Sequence, residues 1–244
     1  MKVLLFGAEA ESIRPHIERH AAIEIVEALP DVVVCYGGDG TLLSAELKWP
    51  GVPKVPIRNS RRGNRCIPHP AGEVIDRLVG EKLARTEFLK ITCSVFEEAN
   101  GAPTHVVSAM NEFNVHMGNI NLAVRFKIWL DNEPYDNGAE IIGDGLVVST
   151  PFGSTAYFSQ ITRGIFHTGL GLAFKNITEL TSHVIVPEST ILRALITRGP
   201  AVLAYDNSPD YITLKKGDRL EIRKDTRPAT VLTWSTVTRP TDSF

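Results

Sequence analysis

A glycine-rich stretch at residues 35–43, CYGGDGTLL, combines residue types that could act on a phosphate. It continues the apolar run DVVV, which is typical of a buried strand. Gly37, Gly38 and Gly40 can adopt positive φ and let backbone N–H groups approach a phosphate closely. Asp39 would repel that phosphate unless it accepts a proton from an attacking hydroxyl or holds Mg²⁺ through water. The stretch therefore predicts phosphoryl transfer; a plain strand-to-helix turn capped by Asp39 is the alternative.

A second stretch, DGLVVSTPFGSTAY, runs from Asp144 to Tyr157 and places several hydroxyl groups after an apolar run. Hydroxyls offer hydrogen bonds to a polar ligand without adding charge, and the Tyr157 ring offers a flat face for a base. The same residues are typical of a helix start, with Ser154 capping a helix that begins at Thr155. The two interpretations are compatible with each other.

The dipeptide Asn111-Glu112 lies inside a pattern typical of a strand. Neighbouring residues of a strand point to opposite faces, so either the strand ends here or one side chain has an unusual environment. An amide next to a carboxylate suits sugar hydroxyls and base edges. A polar sheet edge is the alternative.

A basic loop occupies residues 56–66, PIRNSRRGNRC. Guanidinium groups bind phosphate in a bidentate manner, so this loop is predicted to grip a phosphate-rich ligand. A solvated basic loop is the alternative. Its four arginines are Arg58, Arg61, Arg62 and Arg65.

The chain up to residue 88 alternates strand and helix signals. KVLLF and DVVVCY predict strands, whereas GTLLSAELKW and AGEVIDRLVGEKL have apolar residues at helical spacing. AESIRPHIERH predicts a further helix, interrupted by Pro15. Residues 1–88 are therefore expected to form an α/β domain, with an open, mainly parallel sheet that carries the GGDGT loop.

From about Glu87 the pattern changes to strands joined by short polar turns, such as EFLKITCSVFEE, LAVRFKIWLDN and YITLKKGDRLEIRKD. The one helical candidate follows Gly153. Residues 89–225 are therefore expected to form an all-β domain, and the segment 226–244 either returns to the first domain or extends from it.

Composition excludes several classes of protein. A hydrophobic content of 43% and a charged content of 22% are ordinary for a globular protein, and a formal net charge of −2 gives no reason to expect nucleic acid or a membrane as partner. Cys35, Cys66 and Cys93 lie far apart, so neither a metal cluster nor a disulfide framework is predicted and a reducing cytoplasm is the expected location. The start of the chain turns polar too early for a signal peptide, and no apolar run approaches ~20 residues.

The motifs GGDGT, NE and DGLVVSTPFGSTAY, in this order, resemble the NAD kinase family. The later LAYDN and LKKGDRLEI resemble the family's final strands, so the likeness spans about residues 31–225. The resemblance implies phosphoryl transfer from ATP or polyphosphate to the adenosine 2′-hydroxyl of NAD, which gives NADP. It also implies that Mg²⁺ arrives with the donor phosphates and that the protein is a homodimer or homotetramer.

The resemblance assigns roles residue by residue. Asp39 matches the catalytic aspartate, the base for the 2′-hydroxyl. No residue is expected to build a metal cage. The positions expected to hold NAD are Asn111, Glu112, Asp144, Thr155, Ala156, Tyr157 and Asp206. The positions expected to bind donor phosphates are Gly37, Gly38, Gly40 and Thr41, joined by Arg58, Arg61 and Arg62 of the basic loop.

The basic loop departs from the family pattern Gly-x-Asn-x-Gly-x-x-Gly-Phe. Arg58 stands at the Asn position, Ser60 at a Gly position and Asn64 at the aromatic position. The lost aromatic surface would contribute ~1–3 kcal/mol of stacking with an adenine. The alternative function is therefore a non-catalytic or altered-substrate dinucleotide-binding or sensing protein. The sequence disfavours an NAD-dependent dehydrogenase, because no G-x-G-x-x-G follows the first strand.

Overall fold

The structure, a computed structural model, describes residues 1–61, 63–98, 101–178 and 181–234. It divides into two units: the first comprises Met1–Phe88 and the chain from Pro228 onward, and the second comprises Leu89–Arg227. Arg62, a predicted donor-binding residue, and the end of the segment 226–244 lie outside the described residues.

Within these ranges the chain forms nineteen strands and four α-helices, with short 3₁₀ turns at Ala10–Ile13, Tyr135–Gly138 and Gly153–Thr155. The helices are α1 (Arg14–Glu18), α2 (Asp39–Lys48), α3 (Ala71–Val79) and α4 (Tyr157–Thr162). The strands are β1 (Lys2–Phe6), β2 (Glu24–Ile25), β3 (Val32–Gly37), β4 (Lys54–Arg58), β5 (Ala84–Phe88), β6 (Ile91–Phe96), β7 (His105–Ala109), β8 (Glu112–Met117), β9 (Val124–Leu130), β10 (Glu133–Pro134), β11 (Ile141–Gly143), β12 (Gly145–Ser149), β13 (Leu170–Lys175), β14 (His183–Val186), β15 (Leu192–Arg198), β16 (Ala201–Tyr205), β17 (Ile212–Leu214), β18 (Arg219–Lys224) and β19 (Ala229–Thr233).

The first unit is built on a six-stranded sheet in the order β2-β1-β3-β4-β19-β5. All of its pairs are parallel except β19 with β5. The β-branched run at the start of β3 is buried because both faces of the sheet are covered. The C-terminal strand β19 fills the place between β4 and β5.

Pro15 does not interrupt a helix, contrary to the sequence-based prediction. A 3₁₀ turn ends at Ile13, and Pro15 occupies the first turn of α1. Proline is tolerated there because its missing N–H has no partner within the helix, and its fixed φ suits a helix start.

The second unit is a pair of antiparallel sheets. One has the strand order β10-β9-β15-β18-β6-β7 with β11 on β9, and the other has the order β14-β13-β12-β8-β16-β17. Alternate side chains from both sheets form one large core, with Phe113 and Leu146 from one sheet and Phe126 and Ile128 from the other. The predicted fold class, an α/β domain followed by an all-β domain, is confirmed, and α4 is the helix predicted after Gly153.

Helix α4 packs on the outer face of the second sheet, where Phe158 meets Val147 and Ala173. None of the helices in the described ranges is long and apolar enough to cross a membrane.

A buried ion pair ties α2 to the first sheet. Lys54 from β4 is fully buried, and its Nζ donates to Glu46 of α2 and to the backbone oxygen of Trp49 (2.6 Å). Since both charges are withdrawn from water, their mutual attraction offsets a large part of the cost of burying them. The pair fixes α2, and with it the glycine-rich turn at its start.

We predict that Lys54→Met lowers the free energy of unfolding by about 3–5 kcal/mol, because it leaves the Glu46 carboxylate buried without its cation. The double variant Lys54→Met/Glu46→Leu should recover most of that loss, because neither charge of this pair then remains buried. Urea denaturation of the three proteins measures both effects. A single variant that loses less than about 1 kcal/mol would contradict this role of the pair.

Candidate functional site

The GGDGT turn joins β3 to α2 through tight backbone packing. A Cβ on Gly37 would lie 2.2 Å from the hydroxyl oxygen of Thr41, and Gly38 caps α2 with extended backbone (φ −113°, ψ −170°). None of Gly37, Gly38 and Gly40 has a positive φ, so close approach and not a left-handed conformation explains the glycine at position 37. The N-terminus of the ten-residue helix α2 begins at this turn, as the phosphate interpretation requires.

The Asp39 carboxylate is held by the backbone of the basic loop. Oδ2 accepts the N–H of Asn64 (3.1 Å), and Oδ1 accepts the N–H of Arg65 (2.9 Å). The Cys66 thiol lies 3.5 Å from Oδ1 and donates to it. Helix α2 has no side-chain cap, so the alternative in which Asp39 caps its own helix is wrong. A carboxylate has about four acceptor positions, which leaves capacity for a ligand hydroxyl.

The side chains of the basic loop fall into two groups. Arg58 and Arg61 are exposed, whereas Arg65 is half-buried. Burial lowers the pKa of the Arg65 guanidinium, and the charge of Asp39 opposes that shift. Burial also raises the pKa of the Cys66 thiol to about 12, helped by Asp39, so Cys66 is a neutral hydrogen-bond donor. The exposed guanidinium groups are the ones available to a phosphate.

In the second unit, the STPFGSTAY turn is packed against the residues around Asn111. Thr150 Oγ1 donates to the backbone oxygen of Met110 (2.6 Å) and accepts the N–H of Gly153 (3.1 Å). The N–H of Thr150 donates to the Asn111 oxygen at 2.9 Å, and a Cβ on Gly153 would lie 2.3 Å from that oxygen. Two of the sequence motifs are therefore brought together by hydroxyl and backbone contacts.

Ser154 does not cap a helix that begins at Thr155, so that interpretation is wrong. Its Oγ lies 2.8 Å from the Pro151 oxygen and 3.0 Å from the Phe166 oxygen, which share its one hydrogen, and α4 begins at Tyr157 without a side-chain cap. The predicted positions Thr155, Ala156 and Tyr157 follow directly, and Tyr157 is 38% exposed, so part of its side chain is accessible to a ligand.

The Asn111-Glu112 dipeptide is clamped by Asp206. The Asp206 carboxylate accepts the backbone N–H groups of Met110 (2.8 Å), Asn111 (2.7 Å) and Glu112 (3.3 Å). Strand β8 begins at Glu112, so Asn111 lies before the strand, which accounts for two adjacent polar side chains. In this structure Asp206 orients the turn through the backbone.

Glu112 is a buried carboxyl group whose Oε2 has no hydrogen-bond partner among the residues described. Burial, reinforced by the charge of Asp206, raises the pKa of Glu112 to about 8. Burial also raises the pKa of Asp206 to about 6, against the three N–H bonds that favour its charged form. Because an unpaired buried oxygen is costly, Oε2 is suited to a hydrogen bond from a ligand hydroxyl.

Asp144 is half-buried between β11 and β12 and is fixed through its backbone. Its N–H donates to the oxygen of Lys175 (2.8 Å), and its oxygen accepts the N–H of Met117 (2.9 Å). The next residue, Gly145, has φ +135°, and a Cβ there would lie 2.0 Å from the Val115 oxygen. Only glycine fits that position, which explains the Asp-Gly step.

Asp39, Arg58, Arg61 and the glycine-rich turn belong to the first unit, and the predicted dinucleotide-binding residues belong to the second. Within the parts of the chain that are described, no group of three or more His, Cys, Asp or Glu side chains is placed to hold a metal ion. The sequence missed the amides of Asn64 and Arg65, because backbone donors leave no signature in residue type. Sequence reasoning also missed Lys175. The one feature that could have indicated it is a charged residue at the end of an apolar strand.

We predict that Glu112→Gln stabilises the protein more at pH 8 than at pH 5. The pKa of Glu112 is about 8 when folded and about 4.3 when unfolded, so its contribution to stability is fully present below pH ~4 and is lost as the pH rises toward 8. Glutamine removes this loss, and the difference in unfolding free energy from wild type should grow by ~1 kcal/mol or more between pH 5 and pH 8. Urea denaturation at both pH values, with the exposed Glu133→Gln as control, measures it. An equal effect for the two variants would contradict the assigned pKa.

Comparisons with known proteins place these features in one family. The family model for the ATP-NAD kinase C-terminal domain matches residues 110–233. The NAD kinase of Methylococcus capsulatus is 31% identical over 213 residues, which cover 83% of this chain and 71% of that protein. The NAD kinase of Chromobacterium violaceum is 30% identical, with 84% and 71% covered.

Two solved structures share the fold. Yeast NADH kinase, complexed with NADH, superposes with a TM-score of 0.79 at 19% identity, covering 96% of this chain and 74% of that one. An NAD kinase from Archaeoglobus fulgidus, in complex with ATP, has a TM-score of 0.74 at 19% identity. The superposition covers 95% of this chain and 92% of that one. Sequence and fold agree: the chain belongs to the NAD kinase family.

Proposed function

We propose that this protein transfers the γ-phosphoryl group of ATP to the adenosine 2′-hydroxyl of NAD, with NADP and ADP as products. The observation that supports it most is the Asp39 carboxylate, oriented by two loop N–H groups at the start of α2. The family, the relatives named NAD kinase and the ATP-bound structure from Archaeoglobus fulgidus agree with this chemistry.

In the proposed reaction, Asp39 accepts the proton of the 2′-hydroxyl while the 2′-oxygen of the ribose attacks the γ-phosphorus of ATP. A new O–P bond forms, and the bond between the γ-phosphorus and the bridging oxygen breaks, so ADP leaves with that electron pair. The transition state of phosphoryl transfer is loose, so orientation of the hydroxyl matters more than the strength of the base. A fixed carboxylate supplies that orientation.

The donor is proposed to bind at the glycine-rich turn and the basic loop. The N-terminus of α2 favours a phosphate group, and the exposed guanidinium groups of Arg58 and Arg61 add charge-assisted hydrogen bonds. Mg²⁺ would arrive with the donor phosphates and bind mainly through them, so the Asp39 carboxylate keeps the role of base. When bound, the ion would neutralise charge on the transferred group. Polyphosphate would use the same contacts.

The acceptor is proposed to bind at the residues clamped by Asp206. Asn111 offers an amide, Glu112 offers an unpaired oxygen for a sugar hydroxyl, and Tyr157 offers an exposed ring. Asp144, Thr155 and Ala156 complete the proposed set, by resemblance to the family.

A homodimer or homotetramer in the cytoplasm is also proposed. The oligomeric state comes from resemblance to the family. The cytoplasmic location is supported by Cys35, Cys66 and Cys93, which are buried free thiols.

A dinucleotide-binding protein without phosphoryl transfer is the second candidate. The replacement of the family's aromatic residue by Asn64, which removes a stacking surface, is the observation that favours it.

We predict that Asp39→Asn lowers kcat for NADP formation by ~10²-fold or more, because the amide keeps the size of the side chain and removes the base. The dissociation constant for NAD should stay within about threefold of wild type. Steady-state kinetics and calorimetry measure the two quantities, with the exposed Asp210→Asn as control. Equal kcat values in Asp39→Asn and wild type would contradict the base. A wild type that binds NAD and forms no NADP would favour the second candidate.

We predict that the double variant Arg58→Ala/Arg61→Ala raises the KM for ATP about tenfold or more, because two charge-assisted contacts to phosphate are lost. The KM for NAD should change little. The control is Arg223→Ala, an exposed arginine of β18. A donor KM equal to that of wild type would mean that the loop is only a solvated basic surface.

A further inference from the structure

Lys175 is a buried lysine for which the described part of the chain supplies no carboxylate in an ion pair. It ends β13, is only 5% exposed, and its Nζ lies 2.6 Å from Asn114 Oδ1 and 2.9 Å from His116 Nδ1. Asn114 Oδ1 accepts a hydrogen from Nζ, and His116 Nδ1 accepts one in the tautomer whose proton is on Nε2; the same Nδ1 lies 3.1 Å from the Asp144 backbone oxygen. Among the described residues, no ion pair within 4.0 Å involves Lys175, although the charge of Asp144 favours the charged form of the lysine.

The path of this side chain depends on Gly145. In register, Gly145 of β12 lies directly between Lys175 of β13 and His116 of β8. A Cβ on Gly145 would lie 3.1 Å from Lys175 Cε, so the missing side chain leaves room for the lysine stem to cross β12. Because position 145 is a glycine, the Lys175 side chain can pass over β12 and place its ammonium group beside β8.

The ammonium group reaches the same face of the sheet as the proposed acceptor residues. Glu112, Asn114 and His116 alternate along β8 and so share one face. Asn114 is opposite Val147, which packs against α4, and the Tyr157 ring at the start of α4 lies 5.9 Å from Lys175 Nζ. Lys175 therefore lies next to residues that are proposed to bind the dinucleotide.

Electrostatics at this face favours an incoming anion. Burial lowers the pKa of Lys175 to about 7, against the charge of Asp144. A buried ammonium group that lacks an anion is costly, and two of its three hydrogens are used by Asn114 and His116. Glu112 on the same face is mostly protonated at pH 7, because its pKa is about 8, so it does not repel an anion. The third hydrogen is available to a ligand oxygen.

We infer that Lys175, with Asn114 and His116, forms an anion-binding subsite for an acidic group of the acceptor dinucleotide. The inference rests on the proposed function, because that function places the dinucleotide at Glu112 and Tyr157. Two acidic groups have the required chemistry: the pyrophosphate, and a ring carboxylate where the dinucleotide carries nicotinic acid in place of nicotinamide.

Calorimetric binding of NAD and of nicotinic acid adenine dinucleotide to wild type and Lys175→Met tests the subsite without any turnover. If the pyrophosphate is the bound group, Lys175→Met should weaken both ligands about tenfold or more. If the ring carboxylate is the bound group, wild type should prefer the acid dinucleotide, and Lys175→Met should weaken only that ligand. Unchanged binding of both ligands would overturn the subsite and leave the proposed function intact. A wild type that binds neither dinucleotide would overturn both.

A second variant separates binding from folding. Asn114→Asp is isosteric and places a carboxylate beside Nζ. The new carboxylate should form an ion pair with the ammonium group and weaken binding of the ligand, or of both ligands, that depend on it about tenfold. Lys216→Met, an exposed lysine in the same unit, should bind both as wild type does. Thermal unfolding confirms that each variant is folded. Full affinity in Asn114→Asp would overturn the subsite even if Lys175→Met fails to fold.

Discussion

The rest of the structure depends on one constraint: the Asp39 carboxylate must stay fixed between the start of α2 and the basic loop. Two consecutive N–H groups, from Asn64 and Arg65, hold its two oxygens. Behind it, the buried pair of Lys54 and Glu46 fixes α2 on the sheet. Since the donors are backbone N–H groups, the loop can change its side chains and still hold the carboxylate, so the altered loop is compatible with the proposed phosphoryl transfer.

The second unit uses the same physical device. Another carboxylate, Asp206, accepts three consecutive N–H groups and fixes the turn that carries Asn111 and Glu112. A carboxylate that binds a run of amides fixes backbone position more firmly than a neutral acceptor would, since charge-assisted hydrogen bonds are the stronger ones. The clamp fixes the backbone at Glu112, whose Oε2 is buried and has no hydrogen-bond partner among the described residues, which suits the proposed contact with a sugar hydroxyl. Preorganisation of this kind reduces the ordering that binding would otherwise require.

The sequence predicted the fold class well, because strand-length apolar runs and helical periods report burial directly. It was wrong about Pro15 and Ser154, where the outcome depends on a boundary of one or two residues and on a competing partner such as the Phe166 oxygen. It named Asp39 from residue type, but the amides that hold the carboxylate lie 25 and 26 residues away and are invisible to a motif. Lys175 reaches β8 only through the register of three strands, which local sequence does not encode.

The most direct test of the central claim is to identify the product that the wild-type protein makes from NAD, ATP and Mg²⁺. The phosphorylated dinucleotide would be purified, and the position of the new phosphate determined by ³¹P NMR with two-dimensional proton correlation. A fixed carboxylate that acts on a sugar hydroxyl predicts one product, NADP, with the phosphate on the 2′-oxygen of the adenosine ribose. Phosphate at another position, or ATP consumed by hydrolysis alone while NAD is bound, would contradict the account.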